Sequence, residues 1–194
     1  SRPRVFIIAH HGPPPAQLTQ SAPHPVHHPQ TLARAVAALP DNLRRNWVWW
    51  RLPQPPLRNT ALSDLLETNP PETAWRPDAA LTRLVDQMSP AHRDRFENAL
   101  RTPGLKAGAV YRRIRVENGK KVQRAEIRYD GLAGCLRTPA GGSSKQLLLI
   151  TQDGKARLRP LLAREAARLM GCPDSYRLPP SETDGLKVMG DAVC

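Results

Sequence analysis

The sequence is poor in cysteine and in aromatic residues, and it has no long apolar segment. Its three cysteines, Cys135, Cys172 and Cys194, are odd in number and widely spaced, which excludes a disulfide framework or a Cys-x-x-Cys zinc site within this chain. No apolar run approaches the roughly 18 residues of a membrane-spanning helix, and no signal-peptide pattern opens the chain. We therefore expect no association with a membrane.

Acidic residues are also scarce relative to basic ones. The chain has 17 Asp and Glu against 29 Lys and Arg, which gives a net charge of +12 and an isoelectric point near 10.6. The excess is local, because residues 101–150 hold 11 basic and 3 acidic residues, whereas residues 51–100 hold 6 basic and 7 acidic ones. A local basic excess predicts a polyanionic partner that binds at one surface.

Proline is abundant, and it limits the length of helices. The 21 prolines and a hydrophobic content of 40% predict a folded chain with short helices and many turns or extended segments. Residues 10–30, 46–56 and 131–144 have loop-like or irregular composition. Apolar spacing, caps and prolines predict helices over 31–39, 60–67, 78–88, 90–100 and 163–170, the last of them ended by Gly171.

Strand patterns occupy the start of the chain and its basic part. The apolar run 5–9 predicts a strand buried on both faces. After Gly104 the period changes to two, and Asn118-Gly119 and Asp153-Gly154 predict two hairpins. In the first hairpin, one face is shared by Val110, Arg112, Ile114 and Val116.

Histidines and tryptophans each allow two interpretations. The histidines of the first 28 residues have no spacing typical of a metal site, so we expect surface histidines and no metal. Trp47, Trp49 and Trp50 could stack on nucleic-acid bases, but packing of a Pro-rich segment is the favoured interpretation.

Three short segments resemble conserved motifs of a single enzyme family. Residues 164–176, REAARLMGCPDSY, resemble the ninth motif, R-E-x-A-R-L-x-G-x-P-D-x-Y, with intact spacing. Residues 190–193, GDAV, resemble the tenth motif, G-N-[AS]-V, with Asp191 in place of the usual Asn. Arg2 and Arg4 before the apolar run resemble the eighth motif, Q-x-R-x-R, without its Gln. The three occur in the order in which DNA (cytosine-5)-methyltransferases carry them, so the chain resembles the C-terminal part of such an enzyme.

The resemblance implies an α+β fold. A small mixed target-recognition domain, with hairpins, short helices and long loops, would be attached to the last strand of a Rossmann-like α/β catalytic domain. Residues 1–9 would form that strand, residues 10–158 the target-recognition domain, and residues 159–194 the ninth-motif helix and the return to the catalytic domain. Because the chain begins without Met and ends within an apolar pattern, we expect a fragment of a larger fold.

The resemblance also implies a reaction and its partners. Enzymes of this family transfer a methyl group from S-adenosyl-L-methionine to carbon 5 of a cytosine flipped out of double-stranded DNA, after a thiolate adds to carbon 6. The family's Pro-Cys-Gln and Glu-Asn-Val motifs and its Gly-rich cofactor loop do not occur in this sequence. An N-terminal catalytic domain of the same protein, or a separate catalytic subunit, would have to supply them and most of the cofactor site. The expected location is the cytoplasm of a prokaryote, or of a cell infected by phage, on the nucleoid.

The family's functional residues can be carried over to matching positions. Arg4 would contact the flipped cytosine and Arg2 would steady the same pocket, so both are candidate catalytic residues. Asp191 and Ala192 are candidates for contact with the cofactor. Residues 136–144 resemble the family's Gly-rich recognition loop, although they could form an ordinary hairpin connection. The candidate DNA-binding residues of hairpin and loop are Arg112, Arg113, Arg115, Arg137, Thr138, Gly141, Gly142, Ser143 and Ser144.

Two other functions remain open at the level of sequence. A non-catalytic basic nucleic-acid-binding module would explain the charge and the hairpins, but not three ordered motifs. The recognition subunit of a naturally split methyltransferase would carry the motifs and would be inert without its catalytic partner.

Overall fold

The computed structural model of the protein describes residues 11–54, 57–139 and 145–192. The chain divides into two compact units, with the boundary between Leu57 and Arg58. The strand predicted over residues 5–9 lies outside the described residues.

The N-terminal unit is built from short elements, as its many prolines predict. A single 3-10 turn, Ala16–Leu18, leads into strand β1, Thr19–Gln20, which pairs antiparallel with β2, Trp49–Trp50. Between them lie helix α1, Gln30–Ala37, which confirms the helix predicted over 31–39, and the one-turn helix α2, Asp41–Arg44.

Aromatic rings pack on one another inside this unit. The ring of Trp49 lies edge-on to those of His28, at 5.0 Å between centroids, and Trp47, at 5.5 Å. These contacts agree with the packing interpretation of the tryptophans.

A four-stranded sheet organises the second unit. Its strands are β3, Lys106–Glu117; β4, Lys120–Arg128; β5, Leu147–Gln152; and β6, Lys155–Pro160, in the order β4-β3-β5-β6 with antiparallel pairing throughout. Both hairpins predicted from sequence are confirmed. Their turn residues Asn118, Gly119, Asp153 and Gly154 have φ angles of 50°, 75°, 47° and 80°, as a type I′ turn requires.

Helices cover both faces of this sheet. On one face pack helices α3, Asp78–Asp86, and α4, Pro90–Arg101. On the other pack α5, Ala163–Leu169, and α6, Glu182–Asp191. The central strand β5 is therefore covered on both sides, which explains its continuous apolar run. The predicted α+β class is confirmed.

Four of the five predicted helices are confirmed, and the one-turn helix α2 was not predicted. Of the helix predicted over 60–67, only a 3-10 turn forms, Leu62–Leu65. Helix α6 was not predicted, although Ser181 is a standard N-cap residue and its hydroxyl accepts the backbone N–H of Asp184.

The β3–β4 hairpin extends beyond the sheet. Strand β5 pairs with β3 only over residues 106–110, so the outer part of the hairpin is a two-stranded ribbon. Val110 and Ile127 at its base are buried, whereas Ile114 and Val116 farther out are 68% and 71% exposed. The face of β3 that carries Val110, Ile114 and Val116 is therefore buried only at the base of the hairpin.

The helical part of the ninth-motif segment forms a buried junction. Gly171, with φ of 77°, ends α5 in the left-handed conformation predicted for it. The carboxylate of Glu165 is fully buried and accepts both Arg159 Nη1, at 2.8 Å, and Arg159 Nη2, at 2.6 Å. It also accepts the backbone N–H groups of Leu162 and Glu67. One side chain therefore joins β6, the start of α5 and the segment that follows the Leu62 turn.

Candidate nucleic-acid interface

A basic groove of about 570 Å³ runs along the β3–β4 hairpin to the residues that flank the Gly-rich loop. The hairpin contributes one wall, α4 contributes a second, and the loop flanks contribute the end. Six of its lining residues are basic and one, Glu126, is acidic. The basic lining residues are Arg95, Arg112, Arg113, Arg128, Arg137 and Lys145.

Ion pairs along the hairpin hold several of these cations in place. Glu126 lies 3.4 Å from Arg113 Nε and accepts Arg115 Nε at 2.8 Å. Arg128 Nε donates to Asp130 at 2.8 Å. This hydrogen bond lowers the pKa of Asp130 below its ordinary value and raises the pKa of Arg128. Glu126 is shared by two arginines, so these pairs orient the guanidinium groups and leave the hairpin with an excess of positive charge.

Two cations without an acidic partner among the described residues stand at the loop end of the groove. Arg137 and Lys145 are both exposed, and neither has an acidic partner among residues 11–54, 57–139 and 145–192. They flank the Gly-rich segment on its two sides. Two adjacent cations of this kind attract a polyanion more strongly than the paired arginines of the hairpin do.

The predicted trio on the first hairpin does not form one surface. Arg113 and Arg115 lie on one face of β3, and their register partners in β4 include Arg124. Arg112 points to the opposite face, because side chains alternate along a strand, and it also lines a second groove with Arg76 and Arg83. Arg112 and Arg113 nevertheless both line the groove along the hairpin, whereas Arg115 is not among its lining residues.

The Gly-rich loop approaches β3 very closely at its first flank. A Cβ atom on Gly134 would lie 2.0 Å from Gln146 Oε1 and 2.6 Å from the hydroxyl oxygen of Tyr111. The side-chain amide of Gln146 donates to the carbonyl of Val110 at 3.1 Å. A larger residue at position 134 would have to displace the side chains of Gln146 and Tyr111.

Two candidate residues with different predicted roles form a hydrogen bond just before the Gly-rich segment. Thr138, a DNA-binding candidate, donates its hydroxyl hydrogen to Asp191 Oδ1 at 2.5 Å, and Asp191 is a cofactor candidate. Asp191 ends helix α6 and Ala192 follows it. The carboxylate of Asp191 is exposed at the end of α6.

The remaining candidate site residues are not among those that the structure describes. Arg2 and Arg4, the candidate catalytic residues, and Gly141, Gly142, Ser143 and Ser144 of the loop lie outside the described residues. Their roles stay predictions.

Several groove residues were missed from the sequence. Arg128 shares its face with Arg113, and Lys145 directly follows the Gly-rich segment, so strand alternation and loop position could have indicated both. Arg95 and His92 lie on a helix remote in sequence. No local pattern could have placed them beside the hairpin.

The described part of the chain holds no group of three or more His, Cys, Asp or Glu side chains arranged to bind a metal ion. None of the helices there combines the length and the apolarity that crossing a bilayer requires.

Comparison with known proteins identifies the family. The family model described as C-5 cytosine-specific DNA methylase matches residues 1–194, which is the whole chain. No curated protein matches it. The chain therefore belongs to the family of C-5 cytosine-specific DNA methylases.

Proposed function

We propose that this chain is the C-terminal, DNA-recognising part of a cytosine-5 methyltransferase and that it binds double-stranded DNA along the basic groove. The observation that carries the proposal is the uncompensated pair Arg137 and Lys145 on either side of the segment that resembles the family's recognition loop. Phosphate contacts fix the position of a protein on DNA, and contacts to base edges select the sequence.

The shape of the groove suits both phosphate contacts and contacts to base edges. A two-stranded ribbon is narrow enough to enter the major groove of B-form DNA. The ion-paired guanidinium groups of Arg113 and Arg115 keep their remaining N–H donors in fixed directions, which favours phosphate oxygens. The loop flanked by Arg137 and Lys145 would then reach the base edges.

The methyl-transfer step needs groups that this chain does not supply alone. S-adenosyl-L-methionine supplies the electrophilic methyl group when it is bound. Asp191 and Ala192 would border its site, with the exposed carboxylate of Asp191 as an acceptor. None of Cys135, Cys172 and Cys194 stands in a Pro-Cys-Gln sequence, so the nucleophilic thiolate would come from a catalytic domain or a catalytic subunit. Arg4 would contact the flipped cytosine, supported by Arg2.

The domain assignment and the location follow from the same proposal. Residues 1–9 would complete the catalytic sheet, residues 10–158 would form the target-recognition domain, and residues 159–194 would return to the catalytic domain. The enzyme would act on the nucleoid of a prokaryote or on the DNA of a phage, in the cytoplasm.

A charge-matched pair of double variants tests the proposal. In the complete gene product, Arg137→Ala with Lys145→Ala should weaken binding to duplex DNA and should reduce the slope of log K against log salt by about 1.8, if each cation contacts one phosphate. The control is Arg101→Ala with Lys155→Ala, which removes the same charge from exposed positions that do not line the groove. Binding is measured by fluorescence anisotropy at four or more salt concentrations.

Two results would contradict the proposal. Equal slopes for the groove variant and its control would remove the groove from the DNA interface. Intact DNA binding without transfer of labelled methyl groups from S-adenosyl-L-methionine to cytosine would instead favour a non-catalytic binding module.

A further inference from the structure

The C-terminal end of α6 holds the recognition loop at Thr138. The hydroxyl of Thr138 donates to Asp191 Oδ1 at 2.5 Å, across 53 positions of sequence. The ionised acceptor makes this a charge-assisted hydrogen bond, which is stronger than a neutral one. It links a residue that flanks the groove to a residue of the tenth-motif segment.

Gly190 brings the two backbones together. A Cβ atom on Gly190 would lie 2.4 Å from the backbone nitrogen of Thr138 and 2.5 Å from the carbonyl carbon of Arg137. Both neighbours are backbone atoms, which cannot move aside as the end of a flexible side chain can. Gly190 is buried, so its lack of a side chain is needed for contact between α6 and the loop.

The apolar core also supports the contact between α6 and the loop. Leu136 packs against the core cluster that contains Met189 of α6 and Ala166 of α5. Leu136 and Thr138 thus anchor the chain on either side of Arg137. Arg137 itself is exposed and lines the groove.

This arrangement limits what Thr138 can do for DNA. A threonine hydroxyl has a single hydrogen to donate, and here that hydrogen is directed at Asp191. Direct donation to a phosphate or a base would require the bond to α6 to break.

We infer that Thr138 and Asp191 are positioning residues, whose hydrogen bond over Gly190 fixes the direction in which Arg137 enters the DNA groove. This inference rests on the proposed function for the role of Arg137, but the link between loop and helix can be measured without DNA. It assigns Asp191 a second role beside that of a cofactor neighbour, and it makes Thr138 a support of the loop.

A double-mutant cycle with conservative controls tests the inference in the complete gene product. Thr138→Val and Asp191→Ala each remove the hydrogen bond, whereas Thr138→Ser and Asp191→Asn keep a donor and an acceptor in place. Hydrogen exchange of the backbone amides of residues 133–138 should rise roughly fivefold in either disruptive variant and no further in the double variant, because one bond is lost in each case. The conservative variants should stay within about twofold of the native protein.

DNA affinity supplies the second readout. Thr138→Val should weaken duplex binding roughly fivefold in the native background and should have no effect when Asp191→Ala is already present. Thr138→Ser should restore native affinity.

Two outcomes would overturn the inference. Unchanged exchange in Asp191→Ala would show that the carboxylate does not hold the loop. A loss of affinity from Thr138→Val that persists in the Asp191→Ala background would show that Thr138 contacts DNA directly. If the variant lacking Arg137 and Lys145 binds DNA normally, the proposed function fails, and the exchange data still decide whether the loop is held by α6.

Discussion

At the scale of single residues, the buried ion pair of Arg159 and Glu165 needs nearly complete hydrogen bonding to be stable. The two side chains are 1% and 0% exposed, so both charges have lost their hydration. Desolvation of this kind is offset only when geometry and hydrogen bonds are nearly complete. Glu165 meets that condition because its two oxygens accept four N–H groups, two from Arg159 and two from the backbone.

Removal of the Glu165 carboxylate should therefore strongly reduce the stability of the fold. We expect Glu165→Ala to lower the free energy of unfolding by about 3–5 kcal/mol, because it leaves the guanidinium of Arg159 buried without the carboxylate that balances its charge. The control is Asp174→Asn, which weakens the exposed pair of Asp174 with Arg168 and should cost less than about 1 kcal/mol. Urea unfolding followed by tryptophan fluorescence measures both. Similar losses in the two variants would mean that Glu165 does not stabilise the junction.

At the scale of secondary-structure elements, the β3–β4 hairpin combines a buried base with an exposed outer ribbon. Pairing with β5 ends at Val110, so beyond that residue the hairpin has no neighbouring strand. The outer ribbon is held by its own backbone pairing and by cross-strand ion pairs such as that of Arg124 with Glu117. Apolar side chains on the ribbon therefore gain little from folding.

Substitutions on this hairpin should change stability by different amounts at its buried base and on its exposed outer ribbon. We expect Ile114→Thr with Val116→Thr to change the free energy of unfolding by less than about 0.5 kcal/mol, because both side chains are already exposed. The same chemical change at the base, Ile127→Thr, should cost about 2 kcal/mol, since it places a hydroxyl at a position that is 1% exposed. Chemical unfolding of the three proteins supplies the comparison. A large loss from the outer pair would mean that the ribbon is packed against something in solution.

At the scale of the whole molecule, the net charge of +12 makes carboxylates few and their pairing important. Four exposed carboxyl groups have pKa values lowered from their ordinary ones, in each case chiefly by a hydrogen bond from a basic partner. Arg124 acts on Glu117, Arg128 on Asp130, Arg168 on Asp174, and Lys187 on Asp184.

These shifts predict a loss of stability in acid. A lowered pKa in the folded state contributes stability that is fully present above the ordinary values, 3.8 for Asp and 4.5 for Glu, and that disappears as the pH falls through the lowered values. Protonation also raises the net positive charge, so we expect the decline below pH 4.5 to be steeper at low ionic strength. Urea unfolding between pH 6 and pH 3 at two salt concentrations, on the order of 0.02 and 0.5 M, measures it. Constant stability over this range would contradict the prediction.

The sequence by itself determined the features that depend on neighbouring residues. The two Asn-Gly and Asp-Gly turns, the helices over 78–88 and 90–100 and the Gly171 cap were predictable, because turn chemistry and apolar spacing act over a few positions. The three ordered motifs indicated the family, which the match over residues 1–194 confirms.

Tertiary structure alone decided how distant segments combine into a site. Arg95 of α4 joins the groove and Thr138 bonds to Asp191, although no local pattern relates these partners. The packing of helices on both faces of the sheet sets these distances. The physical reason is that burial in a shared core, not sequence spacing, determines which side chains far apart in the chain become neighbours.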